Sequence, residues 1–237
     1  MREEGLARLQ NLYPKRNTKD YLVLRYLVRD LKEAIERYGG AAVFDIGCGN
    51  KPYQQLFKSQ NLLYRGCDVV QSDQRKVDVV CEATEIPEPA AMYDTILCTQ
   101  VLEHVSSPNL VIREAFRLLQ PGGYFILSVP FAWELHEVPH DYYRYSKFGI
   151  TELLSSNGFE VVTLKSNGGK WAAVFQLNIN MIYSSFAYGG FLRKGLKFAF
   201  LHLGFTSVLN RIAVWADAKW YDELLTLNYV VVARKTQ

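Results

Sequence analysis

The chain has 237 residues, 49% of them apolar and 14% aromatic, enough to bury one large α/β core and to exclude wholesale disorder. The net charge is a mild +3 but unevenly placed: no acid occurs from Val161 to Ala216, where Lys165, Lys170, Arg193, Lys194, Lys197 and Arg211 lie. Cys48, Cys67, Cys81 and Cys98 stand singly without a C-x-x-C pair, which argues against a zinc or disulfide framework and for buried thiols in the cytoplasm. The opening MREEGLARLQ carries early acids and no apolar h-region, so no secretory signal is expected. The nearest approach to a membrane span, Trp171–Phe191, is interrupted by Gln176, Asn178 and Asn180.

In chain order, Asn17-Thr18-Lys19-Asp20 leads into apolar positions Leu24, Leu27, Leu31 and Ile35 at helical spacing, and Gly39-Gly40 stops them. A helix packing on a sheet is expected there. Ala42–Ile46 reads as strand one, followed by a tight loop, Pro52 and a helix. Leu62–Cys67, ending at Asp68, is strand two. The link to Val77–Val80 is too short and polar for a full helix, so that crossover is abbreviated. Asp94–Cys98 is strand four. Ser107-Pro108 then offers a capping hydroxyl and a first-turn proline to a helix with inward stripe Val111, Ala115 and Leu118, stopped by Pro121-Gly122-Gly123. Tyr124–Val129 is the fifth strand, Ser146–Asn157 a helix stopped by Gly158, Glu160–Leu164 a strand, and Asn228–Ala233 the last strand. Strands alternating with helices predict an α/β, doubly wound, mostly parallel sheet. Residues 1–165 plus 225–237 form the core in this reading, with an aromatic, helical insertion over 166–224.

The sequence VFDIGCGN, Val43–Asn50, breaks an apolar run with two glycines one residue apart, so the backbone there can approach a ligand closely. A mononucleotide P-loop would need Gly-Lys-Ser/Thr, which Gly49-Asn50-Lys51-Pro52 does not supply. A dinucleotide fingerprint would want glycine where Pro52 stands, and proline lacks the N–H that a pyrophosphate would use. S-adenosylmethionine, which has no phosphates, fits better. Asp68, 21 residues beyond Gly47 at the end of strand two, is placed to accept ribose hydroxyls, although NAD presents such a ribose too.

Together with Asp68, the segments Val43–Asn50, Glu82–Pro87, YDTILCTQVLEHV (Tyr93–Val105) and LLQPGGYFILSVP (Leu118–Pro130) resemble class I S-adenosylmethionine-dependent methyltransferases, in matched order over about residues 40–165. The resemblance implies a Rossmann-like, seven-stranded sheet with an antiparallel last strand and the helical insertion before it. It places Asp45, Gly47, Cys48 and Gly49 at the methionine end of S-adenosyl-L-methionine, Asp68 and Val69 at the ribose, Glu82 and Ala83 at the adenine, and Gln100 at the sulfonium side; S-adenosyl-L-homocysteine would be the product. Asn50 departs from the pattern, which commonly has Thr or Ser and then glycine, and Glu82 stands where Asp is common. His104, in the Leu102–Val105 part of the pattern, reads as catalytic or as a histidine holding its loop.

Beyond the fifth strand, Pro130–Tyr145 crowds two histidines, acids, an arginine and tyrosines where open parallel sheets bind ligands. A hydroxyl acceptor must lose its proton, a task for neutral histidine. His140, backed by Asp141, is the first candidate base and His136 the second; Glu137, Tyr142, Tyr143 and Arg144 are candidates for holding the acceptor, with Arg144 alternatively pairing Glu137 or Asp141. The spacing of His136, Glu137, His140 and Asp141 matches no metal motif, so no metal is expected. The pattern HExPHDYYRY is similar to methyltransferases of bacterial cell-surface polysaccharide pathways, which implies a glycan or lipid-linked acceptor.

In the insertion, Leu201, Phe205, Val208, Leu209 and Ile212 follow helical spacing beside Arg193, Lys194, Lys197 and Arg211. Such a helix caps the acceptor pocket, joins a homodimer, or touches the inner face of a membrane through 191–215. Nucleic acid is not expected as a partner, because the basic residues are few. The expected activity is O-methylation of a small-molecule or glycan acceptor by a cytoplasmic enzyme. The alternatives are a catalytically inactive cofactor-binding scaffold, or a methyltransferase of protein or nucleic acid; Thr99-Gln100-Val101-Leu102 stands where amino-group DNA enzymes carry Asn/Asp-Pro-Pro-Tyr.

Overall fold

A computed structural model describes residues 11–185, 195, 198, 200 and 204–236. Seven strands form one sheet in the order β3-β2-β1-β4-β5-β7-β6, with β1 Ala42–Ile46, β2 Leu63–Asp68, β3 Val79–Val80, β4 Tyr93–Thr99, β5 Leu119–Pro130, β6 Phe159–Asn167 and β7 Asn228–Lys235. β7 lies antiparallel between β5 and β6, and the remaining pairs are parallel. The chain is therefore an α/β, Rossmann-like, doubly wound fold.

Neighbouring strand residues point to opposite faces, and both faces are apolar, so the sheet must be covered twice. Val43, Leu97, Ile126, Val230 and Val232 pack under α1 (Tyr21–Tyr38) through Leu27, Leu31 and Ile35. Phe44, Ile96, Phe125, Leu127 and Val231 pack on the other face under α2 (Pro108–Leu118) and α3 (Lys147–Ser155). The register sets Ile46 beside Cys67 and Cys98, so β1, β2 and β4 end at one level and their loops converge.

Several local expectations change. Pro52–Leu56 forms only a 3-10 turn, entered through Lys51 at φ 53°, and not the expected helix. Ser107 makes no side-chain capping bond to α2, whereas Ser146 Oγ accepts from the Gly149 amide at 3.1 Å. Helix α2 stops at Leu118, and Pro121-Gly122-Gly123 lies inside β5, where a register shift against β4 and Gly122 at φ 76° absorb the turn-forming residues. Leu24 is only half-buried and faces a cavity, one turn beyond the sheet.

Helices α4 (Lys170–Ser185) and α5 (Phe205–Lys219) occupy most of the described part of 166–224 and pack with Tyr21, Leu22 and Tyr26 of α1. Buried polar groups fix this junction. Asp217 of α5 accepts from the amides of Gly169 and Ala172 at 3.0 and 3.2 Å, which caps α4 where its first donors have no helical partner. Gln176 donates to Lys19 O at 2.7 Å, and Asn210 donates to Arg16 O at 2.7 Å. Gln176, one of the polar residues that interrupt the apolar run, thus helps to hold α1's entry, and Asn180 Oδ1 accepts from the same amide nitrogen at 2.9 Å.

On α5 the apolar stripe faces outward. Phe205, Val208 and Ile212 are exposed, Leu209 is half-buried, and Thr206, Asn210, Ala213, Ala216 and Asp217 point inward. Leu201, Arg193, Lys194 and Lys197 lie outside the described residues. No helix among the described residues is long and apolar enough to cross a membrane.

Candidate active site

The ends of β1, β2 and β4 border a cavity of about 1480 Å³. A pocket for one small ligand is roughly 300–1,000 Å³, so two ligands have room. Gly47, at φ 74°, and Gly49, at φ 48°, carry the chain across its floor. A Cβ on Gly47 would lie 2.3 Å from Val101 Cγ2, so the turn needs glycine for space as well as for backbone conformation. The amides of Gly47 and Cys48 both donate to Cys67 O, at 2.8 and 2.9 Å, and the Gly49 amide donates to Asp68 Oδ2 at 3.2 Å. Asp68 is thereby fixed at the rim of β2, buried yet part of the cavity wall.

Val69, Ala83 and the exposed Glu82 line the wall beside Asp68. Gln100 closes the β4 end at φ 53°, a left-handed conformation uncommon outside glycine; its amide donates to Ser128 O and its Nε2 to Ser128 Oγ, both at 3.0 Å. Asp45 is placed differently from the expectation. It does not line the cavity but sits behind the loop, where Tyr64 Oη donates to its Oδ2 at 2.7 Å and Oδ1 has no partner. Burial pushes its carboxyl up to about 7, against the opposing effects of Tyr64 and Lys51. Asn50, the departure from the family pattern, does line the cavity, and its buried carboxamide has no hydrogen-bond partner on either atom.

A polar ligand end at this floor would meet an unpartnered carboxamide, and a ribose would meet Asp68. These residues fit S-adenosyl-L-methionine: Gly47, Gly49 and Asn50 for its amino-acid end, Asp68 and Val69 for the ribose, Glu82 and Ala83 for the adenine.

The opposite wall is the Phe131–Tyr145 loop. It folds onto the 3-10 turn Leu102–His104: the amides of Tyr142 and Tyr143 donate to Glu103 O at 2.8 and 3.3 Å, and Tyr145 Oη donates to Leu102 O at 3.1 Å. His104 Nδ1 donates to His140 O at 2.8 Å, so this histidine does hold the loop. His136, Glu137, His140 and Tyr142 line the cavity.

Asp141 does not back His140. Its buried carboxylate takes two bonds from Arg144, at 2.6 and 2.7 Å, and one from the His136 amide at 2.9 Å, with His136 Nδ1 at 3.3 Å. The Arg144 guanidinium holds Asp141 well below the usual carboxylate range. His140 Nδ1 instead meets Tyr142 Oη at 3.3 Å. Arg144 also donates to Trp133 O and Glu134 O, which commits it to shaping the loop, and both Arg144 and Tyr143 face a shallower neighbouring cavity.

Two contributions escaped the sequence. Asp20, at the N-cap of α1, and Val23, Leu24 and Leu27 within it line the cavity, although their i, i+3, i+4, i+7 spacing was visible. Glu103 and His136 also meet, because the loop brings together residues 33 positions apart.

A mostly parallel sheet whose strand ends hold a glycine loop and an acid beside a cavity with room for two ligands is the framework expected of a nucleoside-cofactor enzyme. The model of the methyltransferase-domain family matches residues 22–164, more than half of the chain, and the chain belongs to that family. Its cofactor is S-adenosyl-L-methionine. Among curated proteins, the ubiquinone biosynthesis O-methyltransferase of Pseudomonas fluorescens is 30% identical over 39% of this chain and 47% of its own length. A Pseudomonas putida protein of the same name is 26% identical over 60% of this chain and 67% of its own. The chain spans about half the length of the first of these. Among solved structures, the cyclase SpnF superposes with a TM-score of 0.60 at 19% identity, over 94% of this chain and 84% of its own. A Burkholderia thailandensis 1,6-didemethyltoxoflavin-N1-methyltransferase, solved with 1,6-didemethyltoxoflavin and S-adenosylhomocysteine, superposes at 0.56 with 18% identity, over 88% and 78%. These two share the fold.

Proposed function

We propose that this protein methylates a hydroxyl of a small-molecule or glycan acceptor. One observation carries the reading: a single cavity is walled on one side by the glycine loop and Asp68, and on the other by His136, Glu137, His140 and Tyr142. The names of the curated O-methyltransferase relatives support oxygen as the methylated atom. The sulfonium donor supplies an electrophilic methyl group with a good leaving group. Most of the acceleration is then left to positioning.

Gln100, held by two bonds to Ser128, sets the β4 edge of the reacting space. His140 is the candidate base: its ring is half-buried at the cavity wall, and its partner Tyr142 can hand a proton onward to solvent. His136 is the second candidate, oriented by Asp141. Arg144 and Asp141 hold the loop and so place both histidines. The 166–224 segment contributes Trp133's packing partners and, through α1, the far wall of the acceptor space. The exposed Phe205, Val208 and Ile212 suit a membrane face or a second copy of the chain.

Transfer of labelled methyl from S-adenosylmethionine to small phenols and to lipid-linked glycan fractions tests the reading. Label in an acceptor that His140→Ala reduces supports it. Tight cofactor binding with label in none of these fractions, or label only in protein or nucleic acid, would overturn it.

A further inference from the structure

Glu103 is fully buried in the turn that anchors the acceptor loop, and among the described residues neither carboxylate oxygen has a hydrogen-bond partner outside its own residue. Burying an unpaired carboxylate is costly by several kcal/mol, so the site is incomplete without a proton or a cation there. Two imidazoles stand beside it. His104 Nε2 lies 3.9 Å from Glu103 Oε1, and the His104 and His136 rings meet edge-on with centroids 4.7 Å apart. One ligand atom from each of Glu103, His104 and His136 lies within 4.8 Å of the others. Ligand atoms about 2.0–2.2 Å from a shared ion sit a little closer than that, within reach of small side-chain rotations.

The surrounding bonds prepare both rings for coordination. His104 Nδ1 faces the His140 carbonyl, which can only accept, so the neutral ring carries its proton on Nδ1 and turns Nε2 towards Glu103. His136 Nδ1 faces Asp141 Oδ2 and Glu134 O, both at 3.3 Å and both acceptors, which fixes the same tautomer. Asp141 is held in turn by Arg144. A carboxylate or carbonyl behind each ligating histidine is what metal sites use to orient the ring and raise its basicity. A purely structural histidine pair would explain these bonds, but it would leave Glu103 with no hydrogen bond outside its own residue and with only a protonated His104, 3.9 Å away, as a counter-charge.

We propose that Glu103, His104 and His136 bind one divalent first-row metal ion of the zinc or cobalt type. Two nitrogens and one oxygen suit such borderline ions better than magnesium or calcium. Three protein ligands leave a coordination position open, the arrangement of catalytic sites and not of closed structural ones. His104 and His136 both belong to the cavity wall, so that position faces the acceptor space. Metal binding stands independently of the acceptor. Its use rests on the methyl-transfer reading: an acceptor hydroxyl at the open position becomes more acidic and passes its proton to His140 or water. The new O–C bond forms as the donor's C–S bond breaks, and that electron pair leaves on sulfur as a neutral thioether.

The test is cobalt(II) titration of the full, chelator-stripped protein, with S-adenosylhomocysteine binding measured in parallel by calorimetry. The expected result is one equivalent of cobalt with visible ligand-field bands, displaced by zinc. Glu103→Gln and His136→Ala should each weaken cobalt binding by at least the roughly 10- to 100-fold that loss of an outer-shell partner causes, and leave the affinity for S-adenosylhomocysteine unchanged. His136 lies on a surface loop, so its variant remains informative if Glu103→Gln fails to fold. Wild-type protein that takes up no cobalt or zinc at millimolar metal, variants that bind as wild type, or near-ultraviolet thiolate bands that place the ion at Cys67 and Cys81 would each overturn the site. Normal product binding alongside any of these leaves the cofactor assignment standing; loss of product binding in wild type sinks that assignment alone.

Discussion

The two walls of the cavity are built by different means. The wall proposed to hold the cofactor is made at strand ends, where the sheet register places Gly47 and Asp68 next to each other with Gln100 at the end of β4, and backbone bonds fix them. The acceptor wall is a loop with no regular structure from Phe131 to Tyr145, and side chains hold its shape: Arg144 on Asp141, His104 on His140, Tyr143 on Ser106. A wall made of backbone tolerates side-chain change except at glycines and at the groups that touch ligand. A wall made of side chains fails wherever an anchor is removed, and it can diverge without harming the core. The first is suited to an invariant donor, the second to acceptors that differ.

The sharpest way to break the contrast is Gly47→Ala. The left-handed backbone conformation adds about 1–2 kcal/mol and overpacking against Val101 about 1–3 kcal/mol, so urea unfolding should show a loss of roughly 2–5 kcal/mol together with lost cofactor binding. A wild-type midpoint would mean that the turn relaxes and the cofactor wall is softer than described. Asp68→Ala should come next. Removing a charged acceptor worth about 1.5–3 kcal/mol per hydrogen bond lowers S-adenosylmethionine affinity by about 100-fold in calorimetry, with the Arg144–Asp141 loop intact.

Arg144→Ala attacks the other wall. Asp141 then keeps only its His136 contacts and loses its counter-charge, the loop loses its anchor, and methyl transfer should fall by about 10- to 100-fold through misplacement of His136 and His140. Cofactor affinity should not change; a parallel drop in affinity would show that the walls are one cooperative unit.

The smallest effect concerns Asp45, behind the cofactor loop. Its carboxyl titrates near 7 in the fold and near 3.8 when unfolded, so the unfolded chain releases the proton first. Stability is therefore full below pH 4 on this account and declines as pH rises through 7. Asp45→Asn keeps an acceptor for Tyr64 and removes the decline. Relative to wild type, its melting temperature should rise from pH 5 to pH 8 by at least about 2–4 °C, the shift that roughly 1 kcal/mol makes in a chain of this size. An unchanged difference would show that Asp45 is ionised throughout.

Much of the cofactor wall could be read from the chain because its determinants are local. A strand, two glycines and an acid at the end of the next strand depend on neighbours in sequence, and the structure puts Gly47, Gly49, Asp68, Val69, Glu82, Ala83 and Gln100 around one cavity. Asp45 was misplaced because the strand's alternation turns it away from the ligand and towards Tyr64, a detail of which face is which. The acceptor wall was legible only as a concentration of chemistry. Spacing along an irregular loop does not reveal that Asp141 chooses Arg144 and His136 over its neighbour His140. On α5 the apolar stripe was visible, but its direction was not, because buried Asn210 and Asp217 bond to segments remote in sequence and turn Val208 and Ile212 outward.

By itself, then, the sequence determined the alternation of strands and helices, the glycine turn and the acid at the end of β2, since each is set by periodicity and backbone conformation within a few residues. Only the tertiary structure decided which side chains share the wall opposite the glycine loop, which carboxylate supports which histidine, and that Glu103 is buried without a hydrogen bond beside two imidazoles. Those outcomes depend on desolvation and on contacts between residues far apart along the chain, where local propensity has no influence.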